Sequence, residues 1–191
     1  MITNSLPHAG EQIRRMETTM TKFAATLLIL IAFALAVEDV QADSKKTPDD
    51  TARLKELDAY WAEVSRAVNA GDFKGYSATC HPEGVLVSGV SRKSQPLSEA
   101  LARWKKEFDN TKAGKMKASV KFRFSQRIGN SNTAHETGIF LYSMTDANGK
   151  HTDEYIHFEG LLVKKNGKWL ILMEYQKSKA TLKDWKALKR N

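Results

Sequence analysis

The sequence holds one cysteine, Cys80, in 191 residues. That excludes a disulfide-stapled scaffold and any zinc module built on several thiolates. It also excludes a lipid anchor on a cysteine just after a leader, because Cys80 lies far downstream. No HExxH spacing occurs, so the helical two-histidine zinc motif is missing. No nucleic-acid-binding motif occurs either, and no nucleic-acid partner is expected. Long apolar runs are scarce too. The longest, FAATLLILIAFALAV at 23–37, has fifteen residues, against the roughly 20 that cross a bilayer. What is present is a 41% hydrophobic, 9% aromatic chain, too apolar for wholesale disorder. Thirty Lys and Arg against 22 Asp and Glu give a net charge of +8. The length suits one domain with an appendage.

That appendage is N-terminal. Lys22 precedes the apolar run, and the small residues Val40 and Ala42 follow it. This is the pattern of a signal peptide over 1–42, cleaved after Ala42. The segment before the run is long for a start at Met1 and ordinary for a start at Met20, so Met20 is the expected start. The expectation is a periplasmic or secreted protein; the alternative is a membrane anchor formed by residues 23–37. Cleavage leaves 149 residues and removes three basic and four acidic ones, raising the net charge to +9. A chain of that size buries about 70% of its unfolded surface, enough for one core.

After a polar leader at 43–50, Thr47-Pro48-Asp49-Asp50 reads as a helix start. Leu54, Leu57, Trp61, Val64 and Val68 follow at helical spacing, and Gly71 stops the helix. A short helix over Phe73–Cys80, a turn at His81–Gly84 and a short strand VLVSG come next. A third helix begins near Pro96 with the stripe Leu97, Leu101, Trp104 and Phe108. After the basic loop Lys112–Lys117 the period changes to two. Ala118, Val120, Phe122 and Phe124 alternate with Lys121 and Arg123, and strands follow near 133–145, 153–165 and 168–177. Asn148-Gly149 and Asn166-Gly167 mark hairpin turns. Helices followed by an antiparallel meander give an α+β fold. A basic amphipathic helix with Leu182, Trp185 and Leu188 on one side ends the chain at 179–191.

NAGDF at 69–73 resembles the nuclear transport factor 2-like superfamily, as does this order of elements. The closing NGKWLILMEYQKS resembles SnoaL-like members, the kinase association domain and domain of unknown function 4440 proteins. The resemblance covers residues 51–178. It implies a cone: a curved antiparallel sheet wrapped by three helices, with a pocket inside and a homodimer formed through the sheet. The superfamily includes ketosteroid isomerase, which uses an Asp base and an oxyanion hole of a Tyr and a protonated Asp. Counted from NAGD and the last Gly-Lys, these positions fall on Ser88, Val64 and Glu159. Val64 donates no hydrogen bond and Ser88 is no base, so that catalytic set is incomplete.

The same alignment implies the inward-facing residues. On the strands these are His135, Thr137, Ile139 and Leu141, then Tyr155, His157, Glu159 and Leu161, then Leu172, Glu174 and Gln176. The helices would add Trp61, Val64, Trp104 and Phe108, with Cys80 at a helix end. This is an apolar pocket with a few polar groups, suited to a small apolar or amphipathic molecule. Glu159 and Glu174 sit in apolar sequence, and burial would raise their pKa and make them candidate acids or bases. Each can equally be a paired carboxylate. His157 can share protons with either, or simply be a hydrogen-bonded strand histidine. His135, His151, Asp153 and His157 lack tight metal-ligand spacing, and neither a metal nor a cofactor is expected. Cys80 reads as a small buried residue rather than a nucleophile.

The positive charge gathers in two segments, Lys112–Arg123 and Lys177–Arg190. The terminal helix can lie weakly on an anionic surface or pack on the body as a solvated basic face. The reading is therefore an exported small-molecule-binding or scaffold domain. The alternative is an isomerase, dehydratase or cyclase type of enzyme using Glu159, Glu174 and His157.

Overall fold

The computed structural model describes residues 48–188. The expected signal peptide, the leader before Pro48, the Thr47 cap and Lys189, Arg190 and Asn191 lie outside the described residues. Helix α1 (Pro48–Ala70) carries Asp49 and Asp50 in its first turn, where carboxylates meet the positive end of the helix dipole. Leu57, Trp61, Val64 and Val68 are buried as their spacing predicts, and Tyr60 and Ala67 widen that face. Gly71 ends the helix at φ +64. A Cβ there would meet the Lys112 backbone nitrogen at 2.4 Å. Glycine therefore serves both the left-handed turn and a close helix approach. Asp72 then caps α2 (Phe73–Ser77), accepting from the Gly75 N–H at 2.9 Å. The NAGD motif is thus a helix stop fused to a helix start.

Strand β1 (Cys80–Ser88) begins earlier than VLVSG suggests, and the expected turn at 81–84 is an irregular stretch within it. The unforeseen β2 (Lys93–Pro96) pairs back on β1. Helix α3 (Leu97–Lys112) buries Leu97, Ala100 and Phe108. The meander follows as β3 (Lys117–Gly129), β4 (Thr133–Thr145), β5 (His151–Lys165) and β6 (Lys168–Lys179). Asn166 and Gly167, at φ +50 and +77, form the tight two-residue hairpin that Asn-Gly predicts. Asn148-Gly149 sits in a longer loop instead. There the Asp146 carboxylate accepts from the Asn148 and Lys150 N–H groups at 2.8 and 3.0 Å.

The curved sheet has the order β2-β1-β6-β5-β4-β3. It is mixed rather than wholly antiparallel, because β1 pairs parallel with β6. Two strands this far apart in the chain can meet in either sense, whereas hairpin neighbours must be antiparallel. The core lies between the helices and one sheet face, around Leu57, Trp61, Leu86, Leu97, Phe158, Leu162 and Ile171.

The terminal helix α4 (Leu182–Ala187) is shorter than expected, since β6 runs on to Lys179. Thr181 and Asp184 form its capping box. Trp185 is buried against the opposite sheet face, with the Arg123 guanidinium 4.3 Å from its ring centroid. Arg123 also donates to the Trp185 and Leu188 carbonyls at 2.6 and 3.0 Å. Leu182, expected beside it, is exposed. Among the described residues no helix is long and apolar enough to cross a membrane.

Candidate functional site

A cavity of about 340 Å³ lies between the inner sheet face and the helices. Helix α1 contributes Tyr60, Trp61, Val64 and Val68, and α2 contributes Tyr76. Helix α3 contributes Trp104, Glu107, Phe108 and Thr111. Phe122 of β3, Phe140 and Tyr142 of β4, and Phe158 of β5 bring the aromatic lining to nine rings. They pack on one another, with Trp61 and Phe122 centroids 4.4 Å apart and Phe122 and Phe158 5.6 Å apart. Such close-packed rings hold a fixed wall. Thr79, Cys80, Glu154, Glu174 and Gln176 supply polar groups.

Seven of the expected lining residues are here: Trp61, Val64, Cys80, Trp104, Phe108, Glu174 and Gln176. The strand phases of β4 and β5 are the reverse of those expected. Phe140, paired with Phe122 and Ile156, faces in, so Ile139, paired with Arg123 and His157, faces out. His135, Thr137, Leu141, Tyr155, Glu159 and Leu161 share that outer face by the same register. Leu172 falls at a bulge between Ile171 and Met173 and does not line the cavity. The cause is a one-residue slip in counting from the motifs, which carries every side chain of a strand to the other face.

Three expected active groups therefore do not converge. Glu159 lies outside, where Lys177 donates to it at 2.6 Å and His135 lies 3.2 Å from its other oxygen. The Lys177 hydrogen bond holds the Glu159 carboxyl below the ordinary range. His157 is outside as well, 4.0 Å from Asp184 under α4. Glu174 alone is inside. Burial raises its pKa, and the Gln176 amide donates to it at 2.7 Å. Ser88, at the aligned base position, accepts from the Ser91 N–H at 3.1 Å. His135, His151, Asp153 and His157 do not gather: among the described residues no three His, Cys, Asp or Glu side chains are placed to hold a metal.

The groups around Glu174 are held protonated. Burial pushes the Tyr60 and Tyr76 hydroxyls up, and the negative charge of Glu174 adds to it. Tyr60 donates to the Thr79 carbonyl at 3.2 Å. Burial pushes the Cys80 thiol up to about 12, so it is no thiolate nucleophile. Tyr142 is likewise pushed up to about 12 by burial, with Glu107 beside it.

One buried carboxylate was missed by sequence reasoning. Glu136 on β4 is 0% exposed. It accepts from the Trp61 indole N–H and from Arg127 Nε at 2.6 Å, and Arg127 reaches on to Asp58. This network fixes the ring that lines the cavity. The one available signal was the phase of β5, where Ile156, Phe158 and Leu162 are more apolar than Tyr155, His157 and Glu159. That phase would have turned Glu136 inward across the ladder.

Several solved structures share this fold. A conserved protein from Planctomyces limnophilus superposes with a TM-score of 0.57 at 12% identity, covering 65% of this chain and 94% of its own. A nuclear transport factor 2-like protein of unknown function from Shewanella oneidensis gives 0.51 at 18%, covering 64% and 97%. A ketosteroid isomerase-like protein from Erwinia carotovora atroseptica gives 0.51 at 19%, covering 68% and 97%. At these identities the likeness concerns the fold alone. No curated protein matches the sequence. The family model of the calcium/calmodulin dependent protein kinase II association domain matches residues 53–181. With the cone fold and the NAGD helix junction in place, the chain belongs to that family, one branch of the nuclear transport factor 2-like superfamily.

Proposed function

We propose that this is an exported domain that binds a small apolar or amphipathic molecule. The observation that carries the reading is the aromatic cavity of about 340 Å³ with Glu174 and Gln176 inside it. That volume is at the low end of ligand sites, which run about 300–1,000 Å³. The separation of Glu174 from Glu159 and His157 favours binding over acid–base turnover. Export is supported by the apolar run at 23–37 and the small residues before position 43. Native mass spectrometry of the protein from its own compartment tests the reading. A retained small molecule is expected, and Val64→Trp, which fills the cavity, should release it. A retained mass that survives Val64→Trp would refute the cavity as its site.

The scaffold part of the proposal is a homodimer through the outer sheet face. Leu161 and Met173, paired across β5 and β6, stand there partly exposed beside Tyr175. The description of the matching family as an association domain supports the same reading. Sedimentation velocity reads the oligomeric state directly.

A further inference from the structure

The Asp, Glu, Lys, Arg and His side chains that line the cavity are, among the described residues, all glutamates. Glu107 and Glu154 are exposed, on the solvent side of the cavity, and Glu174 lies within. Among the described residues no Lys, Arg or His lines it, in a chain of net charge +8. The nearby cations are engaged elsewhere. Arg127 holds Glu136 and Asp58, Lys177 holds Glu159 on the outer face, and Arg123 holds α4.

Of the inward carboxylates, Glu136 and Glu174 differ in kind. Glu136 is fully buried, with an indole N–H and a guanidinium on its oxygens. That is a satisfied structural acid. Among the described residues Glu174 receives one hydrogen bond, from the neutral Gln176 amide onto Oε1. No cationic side chain stands beside it in the cavity lining. Ring faces attract a cation, and a desolvated carboxylate favours one far more than it does a neutral group. The exposed Glu107 and Glu154 add an attractive field at the entrance.

We infer that the cavity selects an organic ammonium ion: one positively charged nitrogen, set against Glu174, on an apolar body of one or two rings. This deepens the small-molecule reading and rests on it. An anionic or strongly electron-rich ligand would face three carboxylates, while a plain apolar one would leave Glu174 without a counter-charge.

Calorimetric titration of the full chain with three matched probes tests this near neutral pH: phenylbutylamine, phenylbutanol and phenylbutanoate. The amine should bind at least tenfold tighter than the alcohol, or about 1.4 kcal/mol, with the acid weakest. Glu174→Gln should bring amine and alcohol within about threefold while leaving the alcohol within about twofold of its original affinity. Its thermal melt serves as the check on folding. Alcohol or acid binding as tightly as the amine would overturn the charge inference and leave the binding reading standing. A preference retained in Glu174→Gln would also overturn it. Failure of all three probes to bind would overturn both readings.

Discussion

The two faces of the sheet treat their acids in opposite ways. On the outer face Glu159 is met by Lys177 at 2.6 Å and by His135. Its pKa is held down, as for any carboxylate with a cation against it. On the inner face Glu174 has an amide for company and rings around it, and burial drives its pKa up. One strand, β6, carries Glu174 inward and presents Lys177 to Glu159 on the other side. An acid settled by a local cation is complete as it stands. An acid left beside a cavity without one is a demand for a partner from outside. Glu136 shows that the inner face can settle an acid when the fold needs it, which makes the treatment of Glu174 informative.

The largest effect should come from breaking that settled inner acid. Glu136→Leu removes the acceptor of both the Trp61 indole and Arg127, leaving a partly buried guanidinium with the exposed Asp58 as its remaining counter-charge. Removing one partner of a buried pair costs about 3–5 kcal/mol. Chemical denaturation should show a loss of that size, with Trp61 fluorescence altered in the folded state. A loss below about 1 kcal/mol would mean that the network is no more than surface decoration. The outer face should respond through association rather than folding. Leu161→Arg places a charge beside Met173 on the outer ladder, and should weaken a dimer at least about tenfold in sedimentation with little change in monomer stability. An unchanged sedimentation profile would remove the sheet face as the interface.

How far the sequence reveals these two faces depends on how local each determinant is. The α1 stripe, the Gly71 stop and the Asn166-Gly167 hairpin act within a few residues, so they are legible. The phases of β4 and β5 are less so: β4 carries apolar residues on both faces, and the apolar Ile156, Phe158 and Leu162 phase of β5 was overridden by counting from the motifs. Ile139 and Leu141 face out as Phe140 and Tyr142 face in. Periodicity cannot choose between two greasy faces, and a one-residue slip moved His157 and Glu159 into the expected pocket. The parallel pairing of β1 with β6 is a long-range contact with no local signature. Glu136 in His135-Glu136-Thr137 looks like an exposed acid until its cross-strand neighbours are known. Glu174 was legible because β6 keeps it among Leu172, Met173 and Tyr175, and its inward direction survives the bulge.

The smallest effect, and the sharpest comparison, is the pH response of the two acids in the empty protein. Glu174 has a folded pKa above its unfolded value. Folding therefore favours its proton, and this contribution to stability is lost as pH rises from about 4.5 through the folded pKa. Glu159 has a folded pKa below its unfolded value. Its contribution is present above about 4.5 and lost as pH falls through the folded pKa. Glu174→Gln should therefore be more stable than the parent chain at neutral pH, the gap closing toward pH 4 as the parent glutamate protonates. Glu159→Gln should be less stable at neutral pH, by no more than about 1 kcal/mol because its pair with Lys177 is partly exposed. That gap should also close in acid, so the two difference curves carry opposite signs at neutral pH and meet near zero at low pH. Denaturant melts at several pH values read both. If both substitutions destabilise at neutral pH, Glu174 is a settled structural acid like Glu136, and the contrast between the faces fails. If the signs differ, adding phenylbutylamine should reverse the order for Glu174 alone, because a bound ammonium stabilises the carboxylate that the empty cavity penalises.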